Sequence, residues 1–131
     1  MSYEVLTTDE FLKDVKSIIK IYPGFKHDIQ NTILLLQENP EQGDHLGHGL
    51  YKLRISITGK SSGKSYGARV IHAVISVHKK VFLLRAYDKS QKKDLTIEET
   101  KILITRTRVL QQSISKAAKK VTLHSNDEIS L

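Results

Sequence analysis

Apolar side chains near the start of the chain recur at the spacing of an α-helix. A short strand is predicted at residues 3–7, and a helix then begins at Thr7 or Thr8 and ends at Pro23-Gly24. Its apolar stripe consists of Phe11, Val15, Ile18, Ile19 and Tyr22. The spacing from Thr7 to Glu10 is that of a capping box, in which a hydroxyl and a carboxylate satisfy free backbone N–H groups.

The same periodicity predicts a second helix from about Phe25 to Glu38, which Asn39-Pro40 stops. Because the break between the two helices is short, we expect them to form an antiparallel hairpin. The next stretch, Glu41 to Gly49, contains three glycines and is predicted to be a loop.

After Gly49 the hydrophobic period changes to two. In residues 51–58, YKLRISIT, apolar and polar side chains alternate, which predicts a half-buried strand with a basic outer face. Two further strands are predicted at residues 67–77 and from Val81 to Asp88, joined by a tight turn at Lys79-Lys80. Three successive strands of this kind pair naturally as an antiparallel meander.

A last helix opens at Thr96, the expected N-cap, with Glu99 as its capping-box partner, and runs to about Ser115 or beyond. The predicted fold class is therefore α+β. A helical hairpin packs on one face of a curved, mainly antiparallel sheet of about four strands, the other face stays open, and a C-terminal helix follows. We expect one domain over residues 1–112 and a helix extension with a frayed tail over residues 113–131.

Composition narrows the class of protein. The 131 residues include no cysteine, which excludes disulfides and thiolate zinc sites and fits a reducing cytosol. The N-terminus lacks the pattern of a signal peptide. The longest aliphatic run, Ile33 to Leu36, is far too short to span a membrane. We therefore expect a cytoplasmic protein with no membrane partner.

The net charge of +7 is concentrated in the middle of the chain. From Lys52 to Lys93 there are 11 basic residues and a single acid, Asp88. A basic surface of this kind indicates a polyanionic partner, with nucleic acid the leading candidate. The alternative is a basic surface that is merely solvated.

Residues 59–65, GKSSGKS, superficially resemble a phosphate-binding loop. Gly59 and Gly63 enclose three residues where such a loop needs four, and a strand pattern rather than a helix follows. Without a helix N-terminus there is no row of free N–H groups to hold a phosphate. The segment is better interpreted as a basic hairpin loop, in which Lys60 and Lys64 either contact a nucleic-acid backbone or are simply solvated.

The histidines predict no metal site, since His45 and His48 lie three apart without a third ligand. His72 lies in a strand, where either a structural role or acid–base chemistry is possible.

The strongest constellation is cationic. Lys52 and Arg54 lie two apart on one strand and hence on one face, and Arg69 begins the neighbouring strand. Arg85, Tyr87 and Lys89 lie at alternate positions at the end of the third strand and so share the same parity. Because basic residues are costly to bury, we expect them on an exposed or concave surface. They suit phosphodiester cleavage by a neighbouring 2′-hydroxyl, with arginines on the phosphate and Lys52, Lys89 or Tyr87 exchanging protons. A plain nucleic-acid-binding face is the alternative.

Four motifs, taken together, resemble the RelE/HigB-type toxins of bacterial toxin–antitoxin pairs, and the resemblance spans roughly residues 3–110. They are GLYKLRI, the Gly/Ser/Lys hairpin leading into GARVI, FLLRAYDKS, and KKDLTIEE before the last helix. Each motif is weak alone, and their order and spacing make the set more specific.

The resemblance implies a metal-free endoribonuclease that needs no cofactor and cuts mRNA, often in the ribosomal A site. It also implies a cognate antitoxin, typically of the helix-turn-helix type. Lys52, Arg54 and Arg69 match the positions that hold and polarise the phosphate, and Tyr87 and Lys89 match those after the third strand. Leu95 and Thr96 stand where RelE carries a tyrosine, which leaves the general acid open. Further RNA contacts are expected from Lys60, Lys64, Lys79, Lys80, Arg85, Lys92 and Lys93.

Two other functions stay open at this point. A ParE-like protein with this fold would bind DNA gyrase without any chemistry of its own. An inactive relative would bind RNA tightly in a salt-sensitive manner without cutting it. The convergent cations favour the nuclease, since gyrase binding has no evident need for them.

Overall fold

The structure is a computed structural model that describes residues 2–61, 66–112 and 119–120. Within those residues none of the helices is both long and apolar enough to cross a membrane. The elements in chain order are β1 (Glu4–Thr7), α1 (Asp9–Ile21), α2 (Phe25–Glu38), β2 (Asp44–Gly47), β3 (Leu50–Ile55), β4 (Ala68–Ile75), β5 (Lys80–Asp88), α3 (Ile97–Gln112) and β6 (Lys119–Lys120).

All the strands join one sheet in the order β2-β3-β4-β5-β1-β6. The predicted antiparallel meander of β3, β4 and β5 is confirmed, and β1 adds to β5 in parallel. The α+β class and the mainly antiparallel sheet are therefore confirmed, and the described residues contribute six strands to the sheet where about four were predicted.

The extra strand β2 lies in the segment that was predicted to be a loop. It pairs with β3 through Asp44 and Lys52, among other positions. Gly43 and Gly49, on either side of β2, have positive φ angles of 98° and 79°. A Cβ atom on Gly43 would collide with the Lys52 carbonyl group. These glycines thus let the chain turn tightly against β3, and their turn-forming character does not exclude a short strand between them.

The helical hairpin covers one face of the sheet, as predicted. Phe11 of α1 and Phe25 of α2 are fully buried against inward residues of the strands, such as Val70 and Leu83. The N-cap of α1 is Thr8, whose hydroxyl accepts from the Phe11 N–H at 3.3 Å and donates to the Leu83 carbonyl at 3.0 Å.

The predicted capping box between Thr7 and Glu10 is therefore wrong. Thr7 is the last residue of β1 and is held in register with Leu83 of β5. Because Thr7 keeps its strand conformation, the capping role moves one residue further along the chain.

The other face of the sheet is not open, because α3 packs on it. Leu103 and Leu110 of α3 are buried in a second apolar cluster with Ile71 and Phe82 of the sheet. Consequently every residue of β4 is buried. The capping box that opens α3 is confirmed, since the Thr96 N–H donates to Glu99 at 2.8 Å and the Glu99 N–H to the Thr96 hydroxyl at 3.1 Å. The predicted continuation to Ser115 lies outside the described residues.

His72 of β4 belongs to the hairpin side of the sheet and is fully buried. One ring nitrogen, Nε2, lies 2.8 Å from the Pro40 carbonyl oxygen, and the ring stacks on Tyr51, whose own ring stacks on His45. Burial lowers the pKa of His72 from 6.5 to about 4, so the imidazole is neutral in the folded protein and its Nε2–H donates to Pro40. These contacts favour the structural role for His72.

The buried His72 makes stability pH-dependent. Between its folded and unfolded pKa values the unfolded chain binds a proton that the folded chain does not, so stability is full above pH 6.5 and falls toward pH 4. When the pH falls from 7 to 4, we expect the protonation of His72 to lower the free energy of unfolding by about 3 kcal/mol. Urea denaturation of wild type and His72→Gln at both pH values measures it, because the other groups titrate alike in the two proteins. If the wild type and His72→Gln lose the same free energy of unfolding between pH 7 and pH 4, His72 is not the group responsible.

Candidate functional site

The register of the meander brings three predicted site residues into one row across the sheet. Arg54 of β3 is paired with Arg69 of β4, which in turn is paired with Tyr87 of β5. Paired residues share a face, and Tyr87 belongs to the cluster beneath α3. Lys52 lies two residues before Arg54 and faces the same way. We call Lys52, Arg54, Arg69 and Tyr87 the cationic row.

Arg69 departs from the expectation that these cations are exposed. Only 4% of its surface is accessible, and its guanidinium donates to the Ala68 carbonyl at 3.2 Å. Burial, and then the neighbouring charge of Arg54, lower the pKa of Arg69. The side chain nevertheless stays charged at neutral pH, because guanidinium ionisation lies so far above it. β4 is covered on both faces, which forces this charge into a partly desolvated position.

Arg54 forms the exposed rim of the row. Its side chain is 61% accessible and lies 3.9 Å from the Asp44 carboxylate of β2. The row therefore combines a deep guanidinium with an accessible one. The accessible guanidinium of Arg54 has the planar fork of donors that binds a phosphate in a bidentate manner, and Arg69 adds a second positive charge beneath it.

Asp94, in the segment between β5 and α3, completes the row and was missed from the sequence. It accepts hydrogen bonds from the Lys52 ammonium and from the Tyr87 hydroxyl, each at 3.2 Å. It is the single acid between Lys89 and Ile97, directly after two lysines, and that position was the available signal. Sequence spacing did not place it beside Lys52, which is 42 positions away.

The protonation states of this pair follow from their surroundings. Burial, and then the negative charge of Asp94, raise the pKa of Tyr87, so the phenol stays protonated at neutral pH. Partial burial alone would raise the pKa of Asp94, but hydrogen bonds from the Leu95 N–H and from Lys52 outweigh it and lower that pKa. Tyr87 is consequently a hydrogen-bond donor and Asp94 a negatively charged acceptor.

Lys89 lies just beyond β5, and its described hydrogen bonds go to two backbone carbonyl groups rather than to a member of the row. Its backbone N–H donates to the Gly67 carbonyl at 2.9 Å, and its ammonium donates to the Lys93 carbonyl at 2.5 Å. Because an ammonium has three N–H donors, the predicted catalytic role of Lys89 requires one of the other two to reach the phosphate.

Most of the basic residues predicted to contact RNA are paired with carboxylates inside the protein. The ion pairs are Lys60–Asp88 at 2.6 Å, Arg85–Asp14 at 2.6 Å, Lys92–Glu99 at 2.8 Å, and Lys80–Glu4. Lys80 opens β5, seven residues from Tyr87 or roughly 23 Å along a strand, and Lys79 comes directly before it. Lys93 is exposed, and Lys64 lies outside the described residues.

The Lys60 side chain bonds to residues at the end of β5 rather than extending into solvent, and so holds the base of the hairpin loop. Its ammonium also donates to the Ser90 hydroxyl at 2.7 Å and lies 5.8 Å from the centre of the Tyr22 ring. Nearby, the Thr58 N–H and hydroxyl both donate to the Asp28 carboxylate of α2, at 2.7 and 2.6 Å. The segment after this loop is strand β4 and not a helix, which agrees with the rejection of a nucleotide-binding loop.

In the part of the chain that the structure describes, no group of three or more His, Asp or Glu residues is placed to hold a metal ion. His45 accepts a hydrogen bond from the Gly49 N–H at 3.3 Å through Nε2. His72 lies on the opposite face of the sheet from the cationic row.

Comparison with solved structures shows a RelE-like toxin fold. The structure of a double-arginine mutant of the E. coli toxin RelE in the free state is similar to this chain at 19% sequence identity and a TM-score of 0.51. The match covers 71% of this chain and 90% of that one. No protein-family model and no curated protein match the chain. The fold expected from the four motifs is thus confirmed.

The contrast between buried and exposed lysine pairs predicts unequal effects on stability. Side-chain exposure is 13% for Lys60 and 5% for Asp88, against 37% and 34% for Lys92 and Glu99. Lys60→Met leaves a buried carboxylate without its cation and should cost about 1–3 kcal/mol of the free energy of unfolding. The matched control, Lys92→Met, should cost about 0–1 kcal/mol.

Chemical denaturation of both variants measures this difference. Lys60→Met combined with Asp88→Asn should recover part of the loss, because the amide carries no buried charge. Equal losses in the two single variants would show that Lys60 does not hold the loop.

Proposed function

We propose that this protein is the toxin of a type II toxin–antitoxin system, a metal-independent endoribonuclease that cleaves mRNA at the ribosome in the cytoplasm. The observation that carries the proposal is the cationic row, which a RelE-like fold presents at one end of the sheet. Lys52, Arg54 and Arg69 converge there with a protonated tyrosine, Tyr87. This set matches the chemical needs of phosphodiester cleavage by a neighbouring 2′-hydroxyl.

The proposed reaction is a transesterification. The 2′-oxygen loses its proton and bonds to phosphorus, while the bond from phosphorus to the 5′-oxygen breaks and the 5′-oxygen gains a proton. The products are a 2′,3′-cyclic phosphate and a free 5′-hydroxyl. The chain must therefore stabilise the extra negative charge on the phosphate and supply a proton to the leaving oxygen.

The row offers a group for each of these tasks. Arg69 and Arg54 bind the phosphate oxygens, and the burial of Arg69 strengthens its interaction with the developing charge. Lys52 stabilises the 2′-oxygen as its proton leaves to water. Tyr87 is the proton donor to the 5′-oxygen: its phenol is protonated at neutral pH, and its O–H turns from the Asp94 carboxylate to the leaving oxygen once RNA is bound. Lys89 joins as a further cation through an ammonium N–H that the Lys93 carbonyl does not occupy.

The proposed partners follow from the same site. An mRNA strand supplies the phosphate, and the ribosome holds that strand. A cognate antitoxin, of the helix-turn-helix type by resemblance, neutralises the toxin. The exposed edge of the row around Arg54 gives an acidic or RNA partner its first contact.

Arg54→Ala tests the site without endangering the core, because Arg54 is mostly exposed. We expect expression of the variant to cause little or no growth arrest, with a loss of roughly 100-fold in mRNA cleavage. Arg69→Lys should be as inactive, since an ammonium cannot replace a bidentate guanidinium. Lys16→Ala removes one exposed charge from α1 and should stay fully toxic. Circular dichroism and thermal denaturation establish that each variant folds.

Primer extension on cellular mRNA after brief induction decides the type of activity. Discrete cuts within translated frames in the wild type, absent in Arg54→Ala, are the expected result. Intact mRNA together with DNA breaks and an SOS response would instead support a gyrase-binding toxin and overturn the nuclease proposal. Tight, salt-sensitive RNA binding without cuts would support an inactive RNA-binding relative.

A further inference from the structure

The Asp94 carboxylate bonds to two members of the cationic row. Its Oδ1 lies 3.2 Å from both the Lys52 ammonium and the Tyr87 hydroxyl, and its Oδ2 lies 3.4 Å from the same ammonium. Lys52 belongs to β3 and Tyr87 to β5. The carboxylate therefore links side chains from the two strands on either side of β4, the strand that carries Arg69. The Leu95 N–H, at 2.8 Å, holds the carboxylate in turn.

We infer that Asp94 is a positioning residue of the proposed ribonuclease site, one that holds the Lys52 ammonium and the Tyr87 hydroxyl together beside Arg69. The inference rests on the proposed function. Lys52 has a flexible four-carbon stem and lies among like charges, which tend to push its ammonium outward. The hydroxyl of Tyr87 can rotate about its C–O bond. The Asp94 carboxylate holds both groups at the row before RNA binds; Lys52 has three N–H donors and keeps its bond to Asp94 during cleavage, whereas the Tyr87 O–H is released to the leaving oxygen.

Measurements of RNA binding and of cleavage rate together distinguish a positioning role for Asp94 from an effect of its negative charge alone. An acidic side chain in a cationic site weakens RNA binding, so its removal should tighten binding. A residue that only lowers the local positive potential would change binding alone. Because cleavage depends on the geometry of Lys52 and Tyr87, loss of Asp94 should tighten binding and slow cleavage at the same time.

Asp44 provides a matched control at the other side of the row. Its carboxylate lies 3.9 Å from Arg54, and its side chain is 61% exposed, against 56% for Asp94. Asp44→Ala and Asp94→Ala thus remove the same charge from similar depths. Only the second also removes hydrogen bonds to Lys52 and Tyr87.

The test compares the purified full chain with Asp94→Ala, Asp94→Asn and Asp44→Ala. Binding is measured with a 2′-O-methyl RNA, which lacks the attacking hydroxyl, and cleavage by single-turnover kinetics on mRNA in ribosome complexes. Both alanine variants should bind RNA up to about fivefold more tightly at low salt. Asp94→Ala should cleave roughly 10- to 100-fold more slowly, whereas Asp44→Ala should cleave at the wild-type rate. Asp94→Asn should recover part of the rate, because its amide oxygen still accepts hydrogen bonds.

A second measurement does not depend on activity. The Lys52 ammonium, whose side chain is only 17% exposed, should react several-fold faster with an acetylating reagent in Asp94→Ala than in the wild type or Asp44→Ala, as followed by peptide mass spectrometry. If the wild type cleaves and Asp94→Ala cleaves equally fast, the inference is overturned while the proposed function stands. If the wild type does not cleave, the proposed function fails, and the labelling rate alone decides whether Asp94 holds Lys52.

Discussion

Strand β4 is buried on both faces, and this constraint organises the rest of the molecule. Val70 faces the helical hairpin and Ile71 faces α3, so the strand supplies side chains to two apolar clusters. A shift of one residue would exchange those faces, and the register with β3 and β5 is therefore strongly specified. The same register places Arg69 under partial cover between Arg54 and Tyr87.

The basic residues in the middle of the chain differ in their surroundings, which composition does not reveal. Burying an unpaired charge is costly, and several cations of this segment meet a carboxylate, as Lys60 meets Asp88 and Arg85 meets Asp14. These pairs tie the hairpin loop and α1 to β5. Around the cationic row, Lys52 and Arg54 meet carboxylates that are more than half exposed, those of Asp94 and Asp44.

Where local spacing governs structure, prediction from the sequence is accurate. The bounds of α2 and the capping box of α3 agree with the structure, because both depend on residues within a few positions of one another. The errors arise where distant contacts intervene. Thr8 replaces Thr7 as the N-cap because β5 holds Thr7 in the sheet. Strand β2 forms in a glycine-rich segment because β3 offers a free edge to pair with.

In the candidate site, too, some features follow from local sequence and others depend on contacts between distant residues. The alternation along β3 and β5 and the basic side chains predicted a constellation of Lys52, Arg54, Arg69, Arg85, Tyr87 and Lys89, because strand parity is a local property. The register between strands then pairs Arg54, Arg69 and Tyr87, whereas Arg85 bonds to Asp14 of α1. Which cations are paired was decided by the tertiary structure alone. The partners lie 28 positions apart for Lys60 and Asp88, 42 for Lys52 and Asp94, and 71 for Arg85 and Asp14. Ion pairs and hydrogen bonds act over a few ångströms, so they form only after the sheet and helices have brought those distant segments together.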